Sequence, residues 1–80
     1  MKTQTYITKL LDNNNRMINF ERWVDKRIST VERKVKELYT RYSYVYKEDI
    51  EKSTYIVIYD AVDNEDQKEV KRYLINEFLQ

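Results

Sequence analysis

The sequence predicts a small α+β domain with the element order α-α-β-β-α, in which a long central helix packs on an antiparallel β-hairpin and a C-terminal helix follows. Apolar residues from Val24 to Tyr42 recur at alternating separations of four and three residues, which is the spacing of one helix face. After Tyr42 the pattern changes to alternation every two residues, which indicates strands. Because the chain has 80 residues, we expect residues 1–80 to form a single domain.

The first element is predicted to be a short helix over residues 3–11. Ile7, Leu10 and Leu11 have helical spacing, although the same segment also suits a strand. The run from Asp12 to Asn15 predicts a loop, because asparagine tolerates a left-handed backbone and bonds its own backbone in turns.

The second element is predicted to be a long helix that Asn19 caps and that runs to about Arg41. Ile18 and Trp23 flank the cap at the positions of a hydrophobic staple. A second capping pattern begins at Ser29, so a break of the helix near Ser29 is an alternative.

Two strands and a helix are predicted to follow. Residues 42–46 and 54–59 alternate or are rich in β-branched and aromatic side chains, and the polar residues 47–53 connect them as a hairpin. The last helix is predicted to be capped by Asp63 or Asn64. Its predicted buried face consists of Val70, Tyr73, Leu74 and Phe78.

The missing residue types argue against catalysis. Glycine, proline, cysteine and histidine are all absent. There is consequently no Ser-His or Cys-His nucleophile pair, no imidazole or thiolate zinc site and no glycine-rich phosphate loop. The acidic residues between Asp60 and Asp66 are interpreted as charges that stabilise a helix N-terminus rather than as metal ligands. We therefore expect a non-enzymatic binding protein without a cofactor or metal ion.

The charges fall into two blocks that the net charge of +1 conceals. Residues 16–47 hold nine basic and four acidic side chains, whereas residues 48–66 hold one basic and seven acidic side chains. The leading hypothesis is that tyrosines and acids bind a larger host or defence protein, the acids imitating nucleic-acid phosphates against a basic cleft. The predicted partner-binding residues are Tyr44, Tyr46, Glu48, Asp49, Glu51, Tyr55, Tyr59, Asp60 and Asp63.

Two alternatives use the long helix. Its basic residues Arg22, Lys26, Arg33 and Lys36 suit a small, dimeric regulator that binds nucleic acid along this stripe. The apolar stripe of residues 24–42 also has heptad spacing, which suits a homodimer seam or a purely structural subunit of a larger assembly as well as an intramolecular core.

In general style, the chain resembles the small accessory proteins of phages and mobile elements, such as anti-CRISPR proteins and other inhibitors of host enzymes. The resemblance rests on its small size, its use of Lys, Asn, Ile and Tyr, and its separated charge blocks. It implies an inhibitor that binds a larger protein. The absence of cysteine, of a signal-peptide pattern and of any stretch near ~20 apolar residues favours a cytoplasmic protein that does not enter the membrane.

Overall fold

The computed structural model describes residues 3–61 and 68–80, and these form an antiparallel sheet of four strands with three helices. The elements are β1 (Gln4–Leu11), β2 (Met17–Lys26), α1 (Ile28–Arg41), α2 (Lys47–Lys52), β3 (Tyr55–Asp60), β4 (Lys68–Leu74) and α3 (Ile75–Phe78). The mixed α+β class is confirmed. The predicted order α-α-β-β-α is wrong, since the observed order is β-β-α-α-β-β-α.

The sheet has the strand order β2-β1-β3-β4, and all its pairs are antiparallel. β1 and β2 form one hairpin, and β3 pairs with β4 on its other side. The central pair, β1 with β3, joins the first part of the chain to the second. The two strands in the middle of the sheet are thus distant in sequence, and no local sequence pattern specifies that they pair.

The predicted helix over residues 3–11 is a strand instead. Tyr6, Thr8 and Leu10 are buried on one side of it, while Ile7 and Lys9 between them are only half-buried. This is the two-residue period of a strand. The β-branched and aromatic side chains of this segment therefore outweigh the helical spacing of its leucines.

The predicted cap at Asn19 is also wrong, because Asn19 lies within β2. The loop prediction for Asp12 to Asn15 is confirmed, and this loop is the turn that folds β2 back onto β1. The Asp12 carboxylate accepts hydrogen bonds from the backbone N–H groups of Asn14, at 2.8 Å, and Arg16, at 2.9 Å. Asn15 has φ of 61°, the left-handed conformation that asparagine tolerates better than most residues.

The long helix begins at Ile28, close to the alternative break near Ser29. Val24 is therefore not on the helix but on β2, where its side chain is 56% exposed. Val31 and Val35 are completely buried against the sheet. The predicted dimer seam thus spans two elements, and its central residues belong to the core of a single chain.

The predicted hairpin between residues 42–46 and 54–59 does not form. Residues 42–46 make a turn in which the backbone N–H groups of Val45 and Tyr46 donate to the carbonyl oxygen of Tyr42. The polar connection that follows is the short helix α2. The strand prediction for 54–59 is confirmed as β3, but its partners are β1 and β4.

The predicted C-terminal helix is mostly strand. Val70, Tyr73 and Leu74 lie on β4, and Phe78 lies on the four-residue helix α3. Pairing with β3 satisfies the backbone groups that β3 would otherwise expose at its second edge, and this tertiary requirement overrides local helix propensity. The predicted caps Asp63 and Asn64 lie outside the described residues.

The core lies between the sheet and the helices. Its fully buried members include Leu10, Ile56 and Ile58 from the sheet and Val31, Val35 and Tyr39 from α1. Ile50 of α2 and Ile75 of α3 pack into the same cluster. Consequently all three described helices cover one face of the sheet. None of the helices within residues 3–61 and 68–80 is long and apolar enough to cross a membrane.

Candidate binding surface

The tyrosines of β3 lie on the sheet face that points away from the helices, which we call the open face. Ile56 and Ile58 are in the core, so the alternation of a strand directs Tyr55, Val57 and Tyr59 to the opposite side. The sequence alone leaves the phase of this strand open, and the burial of Ile56 and Ile58 decides it. No helix in the described part of the chain lies on the open face.

The strand pairing arranges the open face in three rows that cross all four strands in the order β2, β1, β3, β4. The middle row is Phe20, Lys9, Val57 and Arg72. On one side of it lies the row Arg22, Ile7, Tyr59 and Glu69, and on the other the row Met17, Leu11, Tyr55 and Leu74. The face therefore combines three aromatic rings, three cations and a band of apolar side chains.

Two cation–ring pairs flank the centre of the open face. The Lys9 Nζ atom lies 4.9 Å from the centroid of the Tyr59 ring, and the Arg72 Cζ atom lies 4.8 Å from the centroid of the Tyr55 ring. Contacts of this kind contribute roughly 0.5–1 kcal/mol at exposed sites. Val57, between Lys9 and Arg72 in the middle row, is completely buried.

The β2 side of the open face exposes apolar surface. Phe20 and Met17 are each 52% exposed. Together with Ile7 and Lys9 they line a shallow depression of about 200 Å³. Such exposed apolar surface beside charged groups is common at binding sites.

The open face carries charged side chains of both signs. Among the described side chains of the three rows, Glu69 is acidic, and Lys9, Arg22 and Arg72 are basic. Arg72 binds both Glu69 carboxylate oxygens, at 2.8 and 3.1 Å, and its third contact is with the Asn15 side-chain oxygen at 2.9 Å. The hydrogen bond from Arg72 lowers the pKa of Glu69. Arg72 and Glu69 therefore neutralise each other on the open face.

The predicted partner-binding residues are divided between two parts of the molecule. Tyr44 is 77% exposed in the turn after α1, and Glu48 and Glu51 are exposed on α2. Asp49 accepts a hydrogen bond from Asn19 at 3.3 Å. These residues belong to the helical layer.

The other members of that set do not join Tyr44 and the α2 acids on one exposed surface. Tyr46 packs edge-on against the buried Tyr39, with ring centroids 5.1 Å apart. Tyr55 and Tyr59 lie on the open face, and Asp60 ends β3 opposite Tyr6. Asp63 lies outside the described residues. The structure therefore does not gather these residues into one surface.

The predicted basic stripe is divided as well. Arg22 lies on the open face, and Lys26 ends β2, where it pairs with Gln4. Arg33 and Lys36 lie on α1, on the other side of the sheet, where Arg33 approaches Glu37 at 3.9 Å. Lys36 donates to the Gln80 backbone carbonyl at 2.6 Å. These four residues therefore cannot contact one ligand strand along a single helix.

Sequence reasoning missed Lys9, Phe20 and Arg72. Lys9 and Phe20 stand in segments that were predicted to be helical, so their two-residue alternation with buried neighbours was not used. If residues 4–11 and 17–23 are interpreted as strands with alternating faces, Ile7 and Lys9 share one face of the first strand, and Phe20 and Arg22 share one face of the second. No comparable signal in the sequence identifies Arg72.

The other clusters of described polar side chains stabilise the fold. Trp23 donates to the buried Thr8 hydroxyl at 2.9 Å. Glu32 of α1 accepts from the Tyr73 hydroxyl at 2.7 Å and pairs with Lys71 at 2.9 Å, which ties the helix to β4. Groups of three or more acidic side chains that could hold a metal ion do not occur within residues 3–61 and 68–80.

The open face is thus the surface on which rings, cations and exposed apolar groups converge. Comparisons with known proteins add no site residues to it. No protein-family model, curated protein or solved structure matches the chain.

Proposed function

We propose that this chain is a non-enzymatic binding protein that holds a partner on the open face of its sheet. The observation that carries the proposal is the convergence of the rings of Phe20, Tyr55 and Tyr59 with the exposed Met17 on a face that none of the described helices covers. A sheet face that only contacts water typically carries small polar and charged side chains. Half-exposed rings such as Phe20 therefore favour a partner.

The physical chemistry of such binding is direct. Aromatic side chains supply large contact area at a small cost in conformational entropy. The charged side chains among the rings can fix the orientation of a partner. Both sets of side chains stand on paired strands, so the surface is preformed. The lack of histidine, cysteine and glycine in the sequence supports binding rather than catalysis.

Two classes of partner meet this description. One is a larger host or defence protein, the partner of the leading hypothesis, although here it contacts the sheet rather than the acidic residues. The other is nucleic acid, the partner of the alternative hypothesis. Both would contact β-strand residues rather than the helix stripe or the turn at Tyr44.

Site-specific photocrosslinking tests the location of the surface without assuming the partner. A benzophenone-bearing phenylalanine analogue replaces Phe20 on the open face or, as the matched control, Tyr44 in the helical layer. Both side chains are aromatic and exposed, so the probe should be tolerated at either position. After irradiation in the cells that express the chain, we expect covalent adducts from position 20 and few from position 44.

Digestion of the adducts with protease or nuclease then reports the class of partner. Adducts that form only from position 44, or equally from both positions, would overturn the proposal, as would a lack of adducts from position 20.

A further inference from the structure

We infer that a second copy of this chain packs on the open face, an inference that rests on the proposed use of that face. Both edges of the face expose large apolar side chains. Met17 and Phe20 on β2 are each 52% exposed, and Leu74 on β4 is 45% exposed. Exposed apolar side chains of this size on one side of a sheet are typical of a face that another layer of structure covers. The chain itself can supply that layer.

The charged side chains of the open face are engaged within the chain, so charge is not what recruits the partner. Arg72 binds both carboxylate oxygens of Glu69. The Lys9 ammonium lies over the Tyr59 ring, and Lys9 and Arg22 each have a further interaction partner. A partner with many charges of one sign therefore gains little here, whereas a partner with apolar surface covers the side chains that are exposed.

The rows of the open face are self-complementary about one two-fold axis. This axis lies in the plane of contact, parallel to the strands and midway between β1 and β3, so that each row meets the same row of the second copy in reverse order. In the row Met17, Leu11, Tyr55 and Leu74, every pair that meets is then apolar. Met17 at one edge meets Leu74 of the second copy, which covers the exposed side chains at both ends of the row.

The other two rows also meet without repulsion in this arrangement. In the middle row Phe20 meets Arg72 of the second copy, and a planar guanidinium packs well on an aromatic ring. Lys9 meets Val57 rather than another cation. The remaining row begins with a basic and ends with an acidic side chain, so unlike charges meet. None of these contacts requires a charge that is unpaired within its own chain.

A two-fold axis perpendicular to the strands is unfavourable by comparison. It would place Lys9 on Lys9 and Arg72 on Arg72, and like charges that face each other destabilise an interface. It would also set Glu69 against the apolar Leu74. The axis along the strands, in contrast, aligns the strands of the two sheets, which is a common geometry for sheets that pack face to face. The dimer is thus a β-sandwich with the helices on its two outer sides.

The open face is large enough for a small interface. Four strands at ~4.8 Å spacing, with six to ten residues each at ~3.3 Å per residue, give a flat area of roughly 400–500 Å². Protruding side chains make the accessible area larger, and a standard interface buries about 800 Å² on each partner. We therefore expect a dimer that dissociates on dilution.

Sedimentation velocity of the purified chain from about 1 μM to about 500 μM tests the inference. We expect the average mass to rise from that of one chain towards that of two. Leu74→Glu sets a carboxylate against Met17 and should weaken dimerisation about tenfold or more. The matched control Val45→Glu alters a side chain that is 61% exposed in the turn after α1, and it should leave dimerisation within about twofold. Circular dichroism confirms that both variants are folded.

Chemical cross-linking tests the position of the axis. The chain has no cysteine, so Met17→Cys and Leu74→Cys each introduce a single thiol at an exposed position. With a short bis-maleimide, we expect covalent dimers when the two variants are mixed and few when either variant is treated alone. The axis brings position 17 of one copy onto position 74 of the other, whereas equal positions lie at opposite edges of the sandwich.

A chain that stays monomeric at the highest concentration would overturn the inference. Equal effects of Leu74→Glu and Val45→Glu would also overturn it, as would cross-links that form as readily in the single variants as in the mixture. If the chain is monomeric but position 20 crosslinks to another protein or to nucleic acid in cells, the proposed function stands and only the inference of a second copy fails. If position 20 crosslinks to nothing, the proposed function itself fails.

Discussion

The hydroxyl group of Tyr39 provides a sensitive check on the packing of α1 against the sheet. Tyr39 is 1% exposed, and its hydroxyl oxygen is the buried side-chain polar atom for which the described residues offer no hydrogen-bond partner. A buried hydroxyl without a partner costs about 1–3 kcal/mol relative to a solvated one. We therefore predict that Tyr39→Phe, which keeps the ring and its contact with Tyr46, stabilises the protein.

The expected gain in the free energy of unfolding is about 1 kcal/mol. Removing the oxygen eliminates the cost of burying an unpaired hydroxyl, but it leaves a small void that offsets part of this gain. In a domain of this size that corresponds to a rise of roughly 4–8 °C in Tm. Tyr73→Phe is the matched comparison. The Tyr73 hydroxyl donates to Glu32 at 2.7 Å, so its removal should lower the free energy of unfolding by about 1 kcal/mol.

Urea unfolding followed by circular dichroism measures both variants against the wild type. The two substitutions remove the same atom from the same residue type, so opposite signs would show that the hydrogen-bond partner decides the effect. Destabilisation of Tyr39→Phe by about 1 kcal/mol or more would refute the reasoning, because it would mean that the hydroxyl is bonded in the folded protein.

Two further predictions concern pH and the first turn. Burial raises the pKa of the Tyr6 and Tyr39 phenols above the usual value near 10, with smaller contributions from Asp60 and Glu21 respectively. Burial and the hydrogen bond to Glu32 raise the pKa of Tyr73. The stabilisation that these three phenols contribute should be fully present below about pH 10 and lost as the pH rises further, because their counterparts in the unfolded chain ionise first. The urea concentration at the unfolding midpoint should therefore fall above that pH. It should fall less in Tyr39→Phe, which lacks one of the three phenols. In the turn, Asp12→Ala should lower the free energy of unfolding by about 1 kcal/mol, because two backbone N–H groups lose their acceptor, whereas Asp12→Asn keeps an acceptor oxygen and should lose less in the same measurement.

The parts of the fold that were predicted correctly are those in which a local signal has a single structural meaning. The asparagine run has no periodicity to suggest a helix or strand, and it is the turn between β1 and β2. The β-branched and aromatic run at 54–59 is β3. The buried stripe from Val31 to Leu38 lies on α1.

The incorrect predictions share a physical cause. In residues 17–26, Trp23 fits a hydrophobic staple and Val24 fits the helical stripe, yet this segment is β2 because its backbone pairs with β1. In residues 68–74 the helical spacing of Val70 and Tyr73 gave way to pairing with β3. Both strands lie at edges of the sheet, where one face is exposed to solvent and the alternation of apolar with polar residues is weak. Their structure is decided by the partner strand, which a local pattern does not contain.

The candidate surface was harder to predict than the fold for a related reason. The basic and acidic blocks are contiguous in sequence, but a strand sends successive side chains to opposite faces, and the helices place others in a separate layer. Arg22 and Arg33, eleven residues apart in one basic block, consequently lie on opposite sides of the sheet. Lys9 and Arg72 belong to neither block, yet they lie on either side of Val57.

The open face is therefore a property of strand pairing rather than of local composition, and this has a consequence for its evolution and engineering. A shift of β1 by one residue relative to β3 would send Lys9 to the core face and Leu10 to the open face, because side chains alternate with a period of two. Burying the Lys9 ammonium would be costly, and Leu10 is completely buried in the core. The same alternation that fixes the core thus holds the rings and cations in their rows, so substitutions that preserve the core should also preserve the geometry of the open face.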